Sequence, residues 1–239
     1  MKRRNQGALV TGSSGGIGKA IAMKLAQEGF DVAIHYMSSK EKAEKTAAEI
    51  RALGVQCVTL QADLTRPEEA ETLVLEAHRQ LGNLSVLVNN VGNYVFKPVL
   101  ENTLEDWHDM LDSNLNSTFY TCRAAIPLMR EQKHGRIINL GYAGAENVLA
   151  RPGNTAYAIA KTGVIILSKS LAKTEIKHGI TVNVVSPGIM ETSVTKPLSE
   201  VPAGRDGKLE ELVFAVWNFV DGPEYITGQV LEVSGGWNL

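Results

Sequence analysis

The sequence predicts one α/β domain, a doubly wound parallel sheet with helices on both faces, spanning residues 1–239. Three observations predict it. Short apolar runs alternate with longer segments of helical period. The first apolar run ends in a glycine-rich turn that opens a helix. No linker, low-complexity tract or charge block divides the chain.

The elements follow in order. "GALVTG" (7–12) reads as a buried strand ending in a turn. Residues 17–28 place Ile17, Ile21 and Leu25 on one face, so a helix follows, and Gly29 stops it. "DVAIHY" (31–36) is the second strand, and residues 39–53 form a charged amphipathic helix closed by Gly54. Residues 55–63 are the third strand. Thr65 to Glu69 start a helix with Pro67 near its first turn. Further strands are expected at 84–90, 135–141, 179–187 and 229–235. Ligands of such sheets bind at the carboxyl ends of the strands, so chemistry is sought there.

Composition narrows the function. Hydrophobic residues make up 44% and charged residues 21%, as in an ordinary globular protein. The net charge of −2 excludes nucleic-acid binding through bulk basicity, and Lys2-Arg3-Arg4 is too short to change that. No apolar run reaches membrane-spanning length, and no signal-peptide core precedes the glycine turn. Cys57 and Cys122 belong to no metal-like cluster and are expected to be reduced and buried. The expectation is a cytoplasmic enzyme with no metal, nucleic-acid or membrane partner.

The first strand end, Thr11 to Gly18, carries G-x-x-x-G-x-G. Gly12, Gly16 and Gly18 permit a tight turn and close approach of backbone N–H groups to a pyrophosphate. Ser14 and Ile17 lie within the turn and the helix start. The second strand end selects the cofactor. An acidic residue there would hold the ribose 2′-OH of NAD, but Tyr36 occupies the place. Ser38, Ser39 and Lys40 follow, and two hydroxyls and one cation suit a 2′-phosphate, so NADP(H) is favoured over NAD(H). The alternative for Ser38-Ser39 is a helix cap. Asp63, followed by Leu64, ends the third strand where a carboxylate can accept from an adenine amine. Asn90 and Gly92 end the fourth.

T-G-x-x-x-G-x-G at 11–18, N-N-x-G at 89–92, Y-x-x-x-K at 157–161 and P-G at 187–188 occur in that order. Together they resemble the short-chain dehydrogenase/reductase family over essentially the whole chain. "VPAGRDG" (201–207) and "YITGQ" (225–229) are similar to its 3-oxoacyl-[acyl-carrier-protein] reductases, and "IHYMSS" (34–39) to its pteridine reductases. The resemblance implies a Rossmann-type fold, a nicotinamide cofactor, and a homotetramer or homodimer. It also implies that Lys161 bonds the nicotinamide ribose and that Asn114 holds a water linking the lysine to bulk. Asn116 is the less favoured neighbour. Pro187, Gly188, Ile189 and Thr192 would grip the carboxamide end.

Carbonyl reduction needs hydride at carbon and a proton at oxygen, and the protein supplies the acid. Tyr157 is the candidate. Lys161 lies four residues on, on the same helix face, and its charge is expected to lower a phenol pKa of about 10. The family's usual Ser, which polarises the substrate carbonyl, is replaced here by Gly141-Tyr142, and the segment before Tyr157 is longer than usual. Three readings stand open: Tyr142 donates instead, Asn154 or Thr155 donates, or the donor is missing. The segment from Thr192 to Leu212, a substrate lid in the family, is short and broken by Pro197, Pro202, Gly204 and Gly207. That predicts an open site. The expected function is NADP(H)-dependent reduction of a 3-oxoacyl thioester-like carbonyl, on a small-molecule or acyl-carrier-tethered substrate. The alternatives are a pteridine-type reductase and a nucleotide-sensing binding protein with little turnover.

Overall fold

The computed structural model describes residues 6–193 and 195–238. Lys2-Arg3-Arg4 lies outside them. Seven strands form one sheet in the order β3-β2-β1-β4-β5-β6-β7. They are β1 (Gly7–Val10), β2 (Asp31–Tyr36), β3 (Cys57–Gln61), β4 (Val86–Asn89), β5 (Gly135–Leu140), β6 (Ile180–Pro187) and β7 (Val230–Val233). Every neighbouring pair is parallel. The helices are α1 (Gly16–Gln27), α2 (Lys40–Arg51), α3 (Pro67–Leu81), α4 (Leu104–Leu111), α5 (Ser117–Gln132), α6 (Thr155–Glu175) and α7 (Leu209–Asp221). The expected strands at 55–63, 84–90 and 229–235 are each shorter at both ends, because turn residues flank the paired core.

Alternation along the strands builds two cores. Ala8, Val10, Val32, Ile34, Val86 and Val88 face one side and pack with α1, α2 and α7. Leu9, Ala33 and Leu87 face the other and pack with α3 and α5. Both faces are covered, which is why the strands read as continuous apolar runs. The strand order reverses between β1 and β4, so their carboxyl ends border a crevice.

A buried polar chain ties the layers beneath that crevice. Thr121 Oγ1 donates to Asn89 Oδ1 (2.7 Å), Asn89 Nδ2 to Asn139 Oδ1 (2.9 Å), and Asn139 Nδ2 to Ser168 Oγ (2.8 Å). It links β4 and β5 to α5 and α6. Breaking one such bond would leave a buried group unsatisfied, at about 1–3 kcal/mol. Cys57 and Cys122 are free and buried, and burial pushes both thiols up to about 12.

Between α4 and α5 the helix widens to a π turn, Asp112–Asn116. The sequence shows an asparagine-rich helix there but no sign of the extra residue. Such bulges commonly mark functional positions.

Candidate active site

The glycine turn is held open by close packing. Gly12 and Gly16 have φ of +62° and +56°, in the left-handed region that suits glycine. A Cβ at Gly18 would meet Gly12 O at 2.4 Å and Asn90 Nδ2 at 2.8 Å, so helix and turn touch there. Gly15 caps α1 without a side-chain bond, leaving the first N–H groups of the helix for an anion.

One residue of this cradle belongs to none of its motifs. His35 is buried on β2. Its Nδ1 accepts from Gly12 N–H (2.9 Å) and its Nε2 donates to Ala62 O (3.0 Å), which fixes a neutral tautomer. Burial lowers its pKa, against the opposing pull of the Ala62 bond and of Asp63. Ser13 closes the ring. Its N–H donates to His35 O (3.0 Å), and its Oγ accepts from His35 N–H (3.1 Å) while donating to Val10 O (2.7 Å). A histidine on an apolar strand gives no outward signal of such a role.

A cavity of about 240 Å³ beside this turn gathers Gly12, Ser14, Tyr36, Ser38, Ser39, Asp63 and Leu64. The side chain of Ser39 makes no capping bond, so its hydroxyl is not committed to α2. Asp63 Oδ1 accepts from the N–H and hydroxyl of Thr65 (3.0 and 2.7 Å). Asn90 spends its amide on the turn, with Nδ2 donating to Thr11 O (3.0 Å) and Gly12 O (3.2 Å). It buttresses the cradle from β4. Ile17 packs on the core beneath. These residues fit a dinucleotide, whose pyrophosphate would lie on the turn and whose adenosine end would lie at Tyr36 to Leu64.

The second cluster sits beyond β5 and β6. Tyr157 and Lys161 share the first turns of α6. The ring of Tyr157 meets Tyr94 at right angles (centroids 5.0 Å apart) and Tyr142 edge-on (5.3 Å). Lys161 is buried, and its Nζ donates to Leu140 O (2.8 Å) while standing 5.7 Å from the Tyr157 ring centroid. Burial lowers the lysine to about 8. The expected depression of Tyr157 is not found. Burial, together with the Tyr142 and Tyr94 phenols, raises its pKa above the usual value. The physical reason is burial first, which disfavours a phenolate, and then the neighbouring phenols.

Asn114 lies in the π turn and is fully buried. Its Nδ2 donates to Asn93 O (2.9 Å) and Met110 O (3.1 Å), but its Oδ1 has no partner. A Cβ at Gly92 would meet that oxygen at 2.1 Å, so only glycine leaves the room. Asn116 is turned to Asp112 instead (2.6 Å).

Two of the three candidates for the missing serine are brought together. Asn154 is buried, and its Nδ2 lies 3.4 Å from Tyr142 Oη. Thr155 donates its hydroxyl proton to Arg151 O (2.7 Å), so it is not available as a donor. Tyr142, Tyr94 and Asn154 line a cavity of about 540 Å³ with Phe96, Ile189 and Trp237. Pro187 ends β6, and Gly188 presses on Ser234, whose Cα would lie 2.8 Å from an added Cβ. Thr192 is exposed. Part of the segment expected to leave the site open borders the cavity. Glu191 N donates to Gly207 O and Gly207 N to Ile189 O (both 2.9 Å), Lys196 pairs with Asp206 (2.7 Å), and Pro197 and Glu200 face the cavity. The short lid is pinned in place by ion pairs that its composition did not announce.

Residues 6–202 match the short chain dehydrogenase family model. This chain is a short-chain dehydrogenase. It is 38% identical to the 3-oxoacyl-[acyl-carrier-protein] reductase FabG of Staphylococcus aureus (strain N315), over 98% of each chain. It is also 38% identical to that of Escherichia coli (strain K12), over 96% of each. Among solved structures, this dehydrogenase superposes on a blue fluorescent protein from a metagenomic library in complex with NADPH. The TM-score is 0.91, with 33% identity and full coverage of both chains. A putative short-chain alcohol dehydrogenase from Sinorhizobium meliloti 1021 gives the same TM-score at 30% identity, covering 99% and 97%. The dehydrogenase is therefore an NAD(P)-dependent oxidoreductase acting on the C=O/CH–OH pair. Among the described residues, no helix is long and apolar enough to cross a membrane.

Proposed function

We propose that this short-chain dehydrogenase reduces a carbonyl with NADPH, with Tyr157 as proton donor. The observation that carries the reading is the placement of Tyr157, enclosed by two other phenols with the buried Lys161 Nζ 5.7 Å from its ring centroid. A phenol held protonated is the form that reduction consumes. As its proton leaves, Lys161 stabilises the phenolate that forms. The nicotinamide supplies the hydride when bound. Asn114, with a buried free oxygen, holds the water that returns a proton. Tyr142 receives the Asn154 amide on its oxygen, so its own hydrogen faces the cavity and polarises the substrate carbonyl.

NADP(H) preference rests on Tyr36 standing where an acid would repel a 2′-phosphate, with Ser38, Ser39 and Lys40 beside it. Pro187, Gly188, Ile189 and Thr192 border the nicotinamide end. The first candidate substrate is a 3-oxoacyl thioester, free or carrier-tethered, because the 38%-identical relatives bear that name. A pterin-like ring is the second candidate, favoured by the aromatic cavity walls. The chain assembles as a homotetramer or homodimer. The outer face of α6 and the preceding loop leave Val148 95%, Leu149 56% and Ile166 62% exposed along an apolar groove, the kind of face a second copy covers.

The test follows cofactor absorbance with NADPH and a panel of β-ketoacyl esters, diketones and dihydropterins. Consumption supports the reading. Tight NADPH binding with no consumption supports a nucleotide-sensing protein instead. Light scattering checks the assembly: Ile166→Glu is expected to lower the oligomer mass, and an unchanged mass contradicts the α6 interface.

A further inference from the structure

We propose that the cavity beside Tyr157 selects carbonyl compounds whose C=O lies on a flat conjugated ring, over saturated ones of equal size. This rests on the reductase reading above and narrows its substrate. The walls of the cavity are aromatic where a pocket for an alkyl chain would be aliphatic. Tyr142 meets Trp237 edge-on (5.7 Å, 83°) as well as Tyr157. Tyr94 completes the set. All three contacts are edge-to-face. Each covers at most one face of one ring; Arg151 stands over the Tyr142 ring (5.6 Å to its centroid), and the exposed rings of Phe96 and Tyr94 leave surface for a guest. Flat rings prefer such partners, because edge and face carry opposite partial charge.

Two of the walls are also tethered. Trp237 Nε1 donates to Glu200 Oε2 (3.3 Å). Phe96 packs so tightly on Gly153 that an added Cβ would meet its Cζ at 2.5 Å, and Lys97 N donates to Gly153 O (2.7 Å) behind it. Aromatic walls tethered in this way favour a rigid, flat guest over one that must be ordered on binding. The cavity of about 540 Å³ takes two fused rings. Of its polar groups, the Tyr94 and Tyr142 phenols and the Asn154 amide gather beside Tyr157, where the substrate oxygen belongs, while Arg151, Lys196 and Glu200 also border the cavity. There the ketone gains hydride at carbon and the Tyr157 proton at oxygen. The C=O π bond breaks, C–H and O–H bonds form, and the two electrons leave reduced nicotinamide as its oxidised form. Solvent returns the proton to Tyr157.

The test compares α-tetralone, an aryl ketone, with α-decalone, its saturated skeleton, and with acetoacetyl-coenzyme A, each with NADPH. For the wild type, kcat/KM for α-tetralone is expected to exceed that for α-decalone by about tenfold, about 1.4 kcal/mol. Calorimetric Kd values on the NADP-loaded protein are expected in the same order, with no turnover involved. Phe96→Leu and Trp237→Leu, which keep bulk but lose a ring, are expected to shrink the ratio to about threefold or less. Equal values for the two ketones in the wild type overturn the inference, whatever the variants do. So does an undiminished ratio in folded variants. Consumption with acetoacetyl-coenzyme A but not α-tetralone overturns the inference and leaves the reductase reading standing. No consumption with any carbonyl overturns both.

Discussion

At the carboxyl end of β1 the chain is held by directed hydrogen bonds. His35, Ser13, Thr11 and Asn90 each bond the glycine turn or its flanks at 2.7–3.2 Å. Beyond β5 the chain is held by rings: Tyr94, Tyr157, Tyr142 and Trp237 meet edge-to-face, with the 3.4 Å approach of Asn154 to Tyr142 as the polar tie. The first region presents backbone N–H groups in one geometry, as an anion requires. The second sets proton affinities by excluding water, and its contacts are non-directional enough to accept different guests. Backbone bonding fixes the cofactor side, while side-chain packing tunes the substrate side.

Breaking each side should give different symptoms. The largest effect is expected at the ring cluster. Tyr157→Phe should lower kcat by about 10²–10⁴-fold with NADPH affinity unchanged, measured by steady-state rates and by fluorescence titration of the cofactor. Tyr142→Phe comes next. Loss of a carbonyl donor costs about 10²–10³-fold in kcat, and a variant within about twofold of wild type would pass the role to Asn154. Third is the pH profile of kcat/KM for reduction. Lys161 loses its charge near its lowered pKa of about 8, so the rate should fall about tenfold per unit above that pH. A flat profile up to the usual lysine range would separate the ammonium from the chemistry.

The smallest effects should come from the cradle. His35→Ala leaves the Gly12 N–H without its acceptor, and NADPH affinity should fall by about 5- to 150-fold, as for about 1–3 kcal/mol. Acid should act in the same sense. Because the folded-state pKa of His35 lies below the free value of about 6.5, the unfolded chain takes up the proton first. The stability His35 contributes is full above about pH 6.5 and is lost as pH falls below it. Asp63, which favours the charged ring, narrows that window without reversing it. Thermal melts from pH 7 to 5 on wild type and His35→Asn check this, since the variant should lose the acid sensitivity.

The strand–helix alternation and the glycine turn were legible in the sequence because both are local patterns. Strand ends shifted by one or two residues, where turns rather than apolar residues set the limit. Tyr36, Ser38, Ser39, Asp63 and Leu64 converge on one cavity, as their strand-end positions foretold. The role of His35 was not legible, because its partners lie 23 and 27 residues away on other strand ends. The i, i+4 spacing put Lys161 beside Tyr157 but not the sign of the phenol's shift. That sign depends on burial beside Tyr142 and Tyr94, which only the fold assembles. The pinned lid was hidden for the same reason, since its ion pairs join Lys196 to Asp206 and Lys208 to Glu191 across a loop.

The central claim is that Tyr157 rests as a neutral phenol, ready to give its proton away. An ultraviolet difference titration of wild type against Tyr157→Phe measures this phenolate directly. The result anticipated is no Tyr157 signal at any pH below the free phenol value of about 10. A phenolate already present at neutral pH in the cofactor-free protein would contradict it.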